Sequence, residues 1–202
     1  MSPFRTPATA VLALALVLGG CAGGEKTDAS HKDNNAPGST SGVEAKPKTL
    51  QADYGVHVED KIVFMGALND ETGPAASIGK PYANGKRLLA AWINSGKSGL
   101  LPEDWKLELV ERDHAYNPQK SVQAYKEIKD KVLFFGTSFG TPNTLPLMKK
   151  LKDDDVVLFP ASLSSEMAAN EYTPPSGPSY KVEAMRAMDW LVAENPGKEI
   201  KA

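Results

Sequence analysis

Four short apolar runs are separated by stretches with helical patterning, and this alternation constrains the fold more than any other feature. The runs are KIVFMGAL (61–68), the alternating WKLELVERD (105–113), VLFFG (132–136) and VVLFP (156–160). Runs of this length, rich in β-branched and aromatic residues, read as buried strands. Between them, Tyr82, Leu89, Trp92 and Ile93 share one face at helical spacing, and Val122, Tyr125 and Ile128 share another. Asn117 followed by Pro118 is a helix start, since Asn caps free N–H groups and Pro fits the first turn. Thr141 or Thr144 is the expected cap of a third helix, and Val182, Met185, Met188 and Val192 mark a fourth from Ser179 to Glu194, all facing inward. Strands joined through helices must run parallel, and right-handed crossovers place helices above and below them. The expected fold is α/β: an open parallel sheet with helices on both faces.

The first residues argue for export. MSPFRTPATAVLALALVLGGC carries one Arg, then an apolar run from Ala8 to about Leu18. A spanning helix needs about 20 apolar residues, so the run suits a secretory signal instead. It ends in Leu18-Gly19-Gly20-Cys21, which resembles the lipobox of bacterial lipoproteins, with Cys21, the chain's single cysteine, as the lipidated residue. Once lipidated it leaves no thiol for a disulfide or for catalysis. From Ala22 to about Tyr54 the chain is Gly, Ser, Thr, Lys, Asp, Asn and Pro, too polar to bury a core, and reads as a disordered tether. Order is expected to begin near Lys61. The resulting division is 1–20 signal peptide, 21–58 lipidated Cys and tether, 59–178 an α/β lobe, and 179–202 a crossover helix with the residues after it.

Net charge near −2, with no basic stripe, points away from nucleic acid. INSGKSG lacks the first glycine of a phosphate-binding loop and closes a helix rather than opening one. Three histidines offer no triad: His31 falls in the tether, His57 precedes a strand, and His114 reads as a solvated turn residue. Asp153–Asp155 reads as a solvated turn rather than a metal site, and Asp113 as a tie within the turn after the second strand. No cofactor or metal is implied. What remains are three loops at the carboxyl ends of strands, where open parallel sheets bind ligands: LNDETGPAASIGKPYANG (68–85), GTSFGTPNT (136–144) and PASLSSE (160–166). They are rich in Gly, Ser, Thr, Ala and Pro, and poor in acids and bases. On composition alone, a binding rim and a set of tight βα turns stand level.

The ordered series TGPAASIGKPYANG, INSGK, ELVERDHAYNPQKSVQAYKEI, VLFFGTSFGTPNT, VVLFPAS and GPSYKVEAMRAMDWLV resembles the leucine/isoleucine/valine-binding-protein family, type I periplasmic receptors of ABC importers. The resemblance runs from about Lys61 to the end. It implies two α/β lobes clamping a small ligand, with this chain carrying the first. By position, Ile78 would cover the ligand, Phe139, Gly140 and Thr141 would line it from the third strand's loop, and Ala161, Ser162, Leu163 and Ser164 from the fourth's. Relatives often carry an aromatic residue at Ile78, a hydroxyl at Leu163 and Ser at Gly140. The implied function is a lipid-anchored solute receptor on the extracytoplasmic side of a membrane. It would deliver branched-chain amino acids or related small amides and organics to an ABC permease, without catalysis. A sensory ligand-binding domain is the alternative. LVAENPGKEIKA matches the passage into the second lobe, so the resemblance implies a truncated first lobe that alone binds ligand weakly or not at all.

Overall fold

The structure is a computed structural model and describes residues 50–200. The expected signal peptide, Cys21 and most of the expected tether lie outside the described residues. The sheet contains β1 (Val56–His57), β2 (Ile62–Asn69), β3 (Lys106–Asp113), β4 (Phe134–Phe139) and β5 (Leu158–Ala161). β2 pairs in parallel with β3 on one side and β4 on the other, β4 pairs in parallel with β5, and β1 lies antiparallel against the start of β2. The parallel strands therefore run in the order β3–β2–β4–β5. The chain steps outward from β2 to β3, then crosses back over β2 to reach β4. That reversal makes the carboxyl ends of β2 and β4 the switch point where such sheets open a crevice.

The described structure reaches back beyond the expected onset of order at Lys61. Val56 is buried and Leu50 packs against the same apolar cluster. Gly55 makes this possible, because its φ of +67° is open to glycine and its α-carbon lies against the Val132–Leu133 backbone.

Each sheet face has its own core. On one, Leu68, Phe135 and Leu158 meet Tyr125 and Ile128 of α2 (Pro118–Ile128), with Leu147 and with Leu151 of α4 (Met148–Asp154). On the other, Val63, Met65 and Leu107 meet Ala90 of α1 (Ala76–Asn94) and Trp105. Full burial of a Leu, Ile or Phe stabilises by about 1.5–3 kcal/mol, so the two clusters carry much of the fold. Asn117 caps α2 as expected, its side chain accepting the Lys120 N–H at 2.9 Å.

Three expectations are corrected. Of the α1 residues that share an apolar face, only Ile93 packs against the core, while Tyr82, Leu89 and Trp92 are exposed; the sheet-facing stripe is Gly79, Ala83, Lys86 and Ala90. Small residues let this helix lie so close to the sheet that larger ones are pushed to its flanks. The short α3 (Thr141–Thr144) is capped by neither threonine: Gly140, at φ +92°, occupies that position. Thr144 instead donates its hydroxyl to Ser138 Oγ at 2.8 Å, inside the core. After the one-turn α5 (Ser165–Ala168), α6 (Tyr180–Glu194) buries no residue, and Met185 and Val192 are each 58% exposed. Amphipathic spacing reveals an apolar face without saying which layer meets it, and none of the described layers meets this one.

Candidate functional site

The carboxyl ends of β2 and β3 are laced together before any ligand is considered. Asp70, at the end of β2, accepts the N–H groups of Gly73 and Ala75, which turns the chain into α1. Asp113, at the end of β3, accepts the Glu71 and Ala115 N–H groups at 3.0 Å each and the Thr72 hydroxyl. Burial alone would raise its pKa, but these donors outweigh burial and hold the carboxyl below its usual range. The expected tie at Asp113 is therefore present.

The glycines of the first loop serve the same lacing. A methyl group on Gly79 would overlap the Asp70 carbonyl oxygen, and one on Gly73 would overlap the Ala115 backbone. Gly73 and Gly79 thus let loop pack on loop and helix on loop.

His114 is not the solvated turn residue expected: it is 0% exposed. Its N–H donates to the Asn69 carbonyl at 2.9 Å, and its Nδ1 accepts the Tyr116 N–H at 3.1 Å. Burial lowers its pKa, so the ring is held neutral, with the proton left to Nε2. The Leu68 backbone is within reach of the ring and opposes the fall.

Behind β2, on the α1 face, lies a polar cluster that sequence reasoning missed. Lys86 is only 8% exposed, donates from Nζ to Asn69 Oδ1, and sits 5.5 Å from the Tyr82 ring centre. Burial pulls its pKa from 10.5 down to about 8, with Glu111 and Glu71 opposing that fall. Arg87 bridges the same two carboxylates, at 2.7 Å to Glu71 and 2.8 Å to Glu111. One signal was available: Lys86 falls on the Gly79–Ala83–Ala90 stripe at helical spacing.

At the rim itself, the Thr141 and Ser162 hydroxyls lie 2.6 Å apart, brought together from the ends of neighbouring strands β4 and β5. Ala161 accepts the Gly140 N–H at 3.4 Å, so that amide is turned inward to the sheet. Phe139 stands between two tyrosines, its ring centre 5.8 Å from that of Tyr82 and 6.4 Å from that of Tyr116. Ile78, 65% exposed, projects from the first turn of α1. Leu163 and Ser164 are half-buried; the Leu163 carbonyl accepts the Tyr180 N–H, and the Ser164 hydroxyl donates to Glu166. The structure therefore gathers Phe139, Gly140, Thr141, Ala161 and Ser162, while Leu163 and Ser164 lead toward α5 and α6.

A depression of about 960 Å³ opens at the opposite end of the strands, lined by Ile93, Leu101, Pro102 and Trp105 among others. Its Asn94 is committed to packing, exchanging two hydrogen bonds with the Leu107 peptide groups. That depression is a loop junction away from the switch point, so the rim is the better candidate site. Among the described residues no group of His, Cys, Asp and Glu could hold a metal ion, and no helix is long and apolar enough to cross a membrane.

Known proteins share this fold. The periplasmic binding protein family matches residues 62–200. A fatty acid ABC transporter substrate-binding protein from Thermomonospora curvata superposes with a TM-score of 0.66 at 26% identity, over 73% of this chain and 37% of that one. An ABC transporter substrate-binding protein from Aeropyrum pernix gives 0.59 at 27% identity, over 66% and 35%. A branched-chain amino acid ABC transporter protein from Thermus thermophilus with bound valine gives 0.58 at 22%, over 67% and 36%, a likeness of fold. The chain thus spans little more than a third of the length of these structures. No curated protein matches it.

Proposed function

This chain belongs to the periplasmic binding protein family, a family of binders rather than catalysts, and we propose that it supplies the first ligand-binding lobe of an ABC importer's solute receptor. The observation that carries the reading is the Thr141–Ser162 hydroxyl pair, 2.6 Å apart at the carboxyl ends of adjacent parallel strands. One proton is spent within the pair, so together the two oxygens offer a ligand one further donor and lone pairs that accept, through the half-buried Thr141 and the more deeply buried Ser162. On the same loop the Phe139 ring meets those of Tyr82 and Tyr116, and Tyr116 lies over the α-carbon of Gly140, the residue before Thr141. A ligand with a carboxylate or amide on an apolar body fits that arrangement. The branched-chain amino acids expected from the sequence have this chemistry, and so does the fatty acid named for the Thermomonospora protein. An extracytoplasmic location follows from the family, and a lipid on Cys21 would keep the receptor beside its permease.

Titration of the isotopically labelled chain with millimolar L-leucine, L-valine or octanoate, followed by NMR, tests the proposal. Signals of Thr141 and Ser162 should shift with at least one of these probes. T141A and S162A should each weaken that binding by about three- to tenfold, the worth of one hydrogen bond. Absence of shifts at both residues with all three probes would overturn it. The anchor has its own test: in cells fed radiolabelled palmitate, the wild-type chain should carry label in the membrane fraction, and C21A should carry none. Equal labelling of C21A would refute lipidation at that site.

A further inference from the structure

The loop after β3 carries an unusual backbone. Ala115 and Tyr116 are consecutive non-glycine residues in the left-handed region, at φ +50° and +56°. Single residues of this kind are uncommon for L-amino acids, and two in succession persist only where surroundings over-determine them. Those surroundings are visible: the Ala115 N–H is held by Asp113, the Tyr116 N–H by His114 Nδ1, and the Ala115 backbone lies against Gly73.

The result of this conformation is the placement of one ring. The Tyr116 ring reaches from the β3 loop to the end of β4 and lies over the α-carbon of Gly140, where a β-carbon would come within 2.7 Å of it. There it meets Phe139 edge-on at 6.4 Å, and Phe139 meets Tyr82 edge-on at 5.8 Å. Three chain segments thus contribute one aromatic row beside the Thr141–Ser162 hydroxyl pair, at the switch point of the sheet. Tyr116 is half-buried, so part of its surface remains open.

We infer that Tyr116 is a specificity-determining residue of the rim, forming with Phe139 and Tyr82 the wall that takes the apolar part of the ligand. The inference rests on the receptor reading above and deepens it. The hydroxyl pair addresses the polar end and is indifferent to chain length; the aromatic row addresses the hydrocarbon and therefore sets selectivity between ligands sharing that polar end.

The test uses the full chain with ring-labelled tyrosine, titrated with L-leucine, L-alanine and octanoate. Tyr116 ring signals should shift with leucine or octanoate together with the Thr141 signal. Y116A should lose about tenfold in affinity for the apolar probe and bring its affinity close to that for alanine. Y116F, which keeps the ring, should retain the preference and guards against a Y116A chain that fails to fold. Shifts at Thr141 and Ser162 without any at the Tyr116 ring, or a leucine-to-alanine ratio unchanged in Y116A, would overturn the inference while leaving the receptor reading intact. No shift anywhere would overturn both.

Discussion

Between pH 8 and pH 10.5 the wild-type chain is expected to gain about 3 kcal/mol in stability relative to a K86M variant. Below pH 8 the Lys86 ammonium is charged in both folded and unfolded chains, and the folded chain bears the full cost of burying it. Between the two pKa values the unfolded chain still holds a proton that the folded chain has released, so stability must rise with pH. Above 10.5 both forms are neutral and the cost has gone. At pH 7 K86M should be the more stable protein by about 2 kcal/mol, because losing the Asn69 hydrogen bond offsets part of the relief. Urea unfolding of both proteins across pH 6 to 11 reads the difference directly. Other titrating groups cancel in the comparison. A flat difference curve would show that Lys86 escapes to solvent.

The second large effect is steric. G79A should lower stability by about 3 kcal/mol or more, because the new methyl group meets the Asp70 carbonyl oxygen, which cannot swing aside as a side chain would. The same substitution six residues along the same helix should do the opposite. Gly85 has nothing within 4 Å of its missing β-carbon and sits exposed in the helix interior. G85A should therefore stabilise by about 0.5–1 kcal/mol through helix propensity alone. Thermal unfolding of the two variants, one melting well below and the other slightly above the parent, separates packing from propensity within a single helix. If G79A melts with the parent, α1 does not approach the β2 loop as closely as described.

How much of the fold and the rim is legible in the sequence depends on what local patterns encode. The α/β class, the four parallel strands and the Asn117 cap depend on local periodicity and on one side chain meeting its own backbone, and both are written in consecutive residues. The buried stripe of α1 escapes such a reading, because it takes large apolar residues to point inward. Close approach of helix to sheet selects for smallness, and Gly79, Ala83 and Ala90 carry that signal instead. His114 escapes it for a related reason: nothing in RDHAYNP reveals that this residue closes a tertiary turn against Asn69. At the rim, loop composition indicates the segments, and Thr141 and Ser162 do come together. Tyr116 is not foreseeable in this way, since its placement depends on two left-handed residues, whereas Lys86 becomes legible once the small-residue stripe of α1 is taken as its buried face.

The position of β2 has a consequence for how the sheet can assemble. Its neighbours begin at Lys106 and Phe134, so only the two-residue β1 is local to it. The central strand is the first long one in chain order, yet its first parallel partner, β3, begins more than 35 residues after it ends, and its second, β4, more than 60. Folding must therefore close large loops before these pairings form, a high-contact-order route that proceeds slowly and leaves the apolar IVFM segment uncovered meanwhile. Until β3 and β4 have docked on its two edges, no parallel strand covers this segment, so a chain ending before Phe134 is expected to leave one edge of β2 bare.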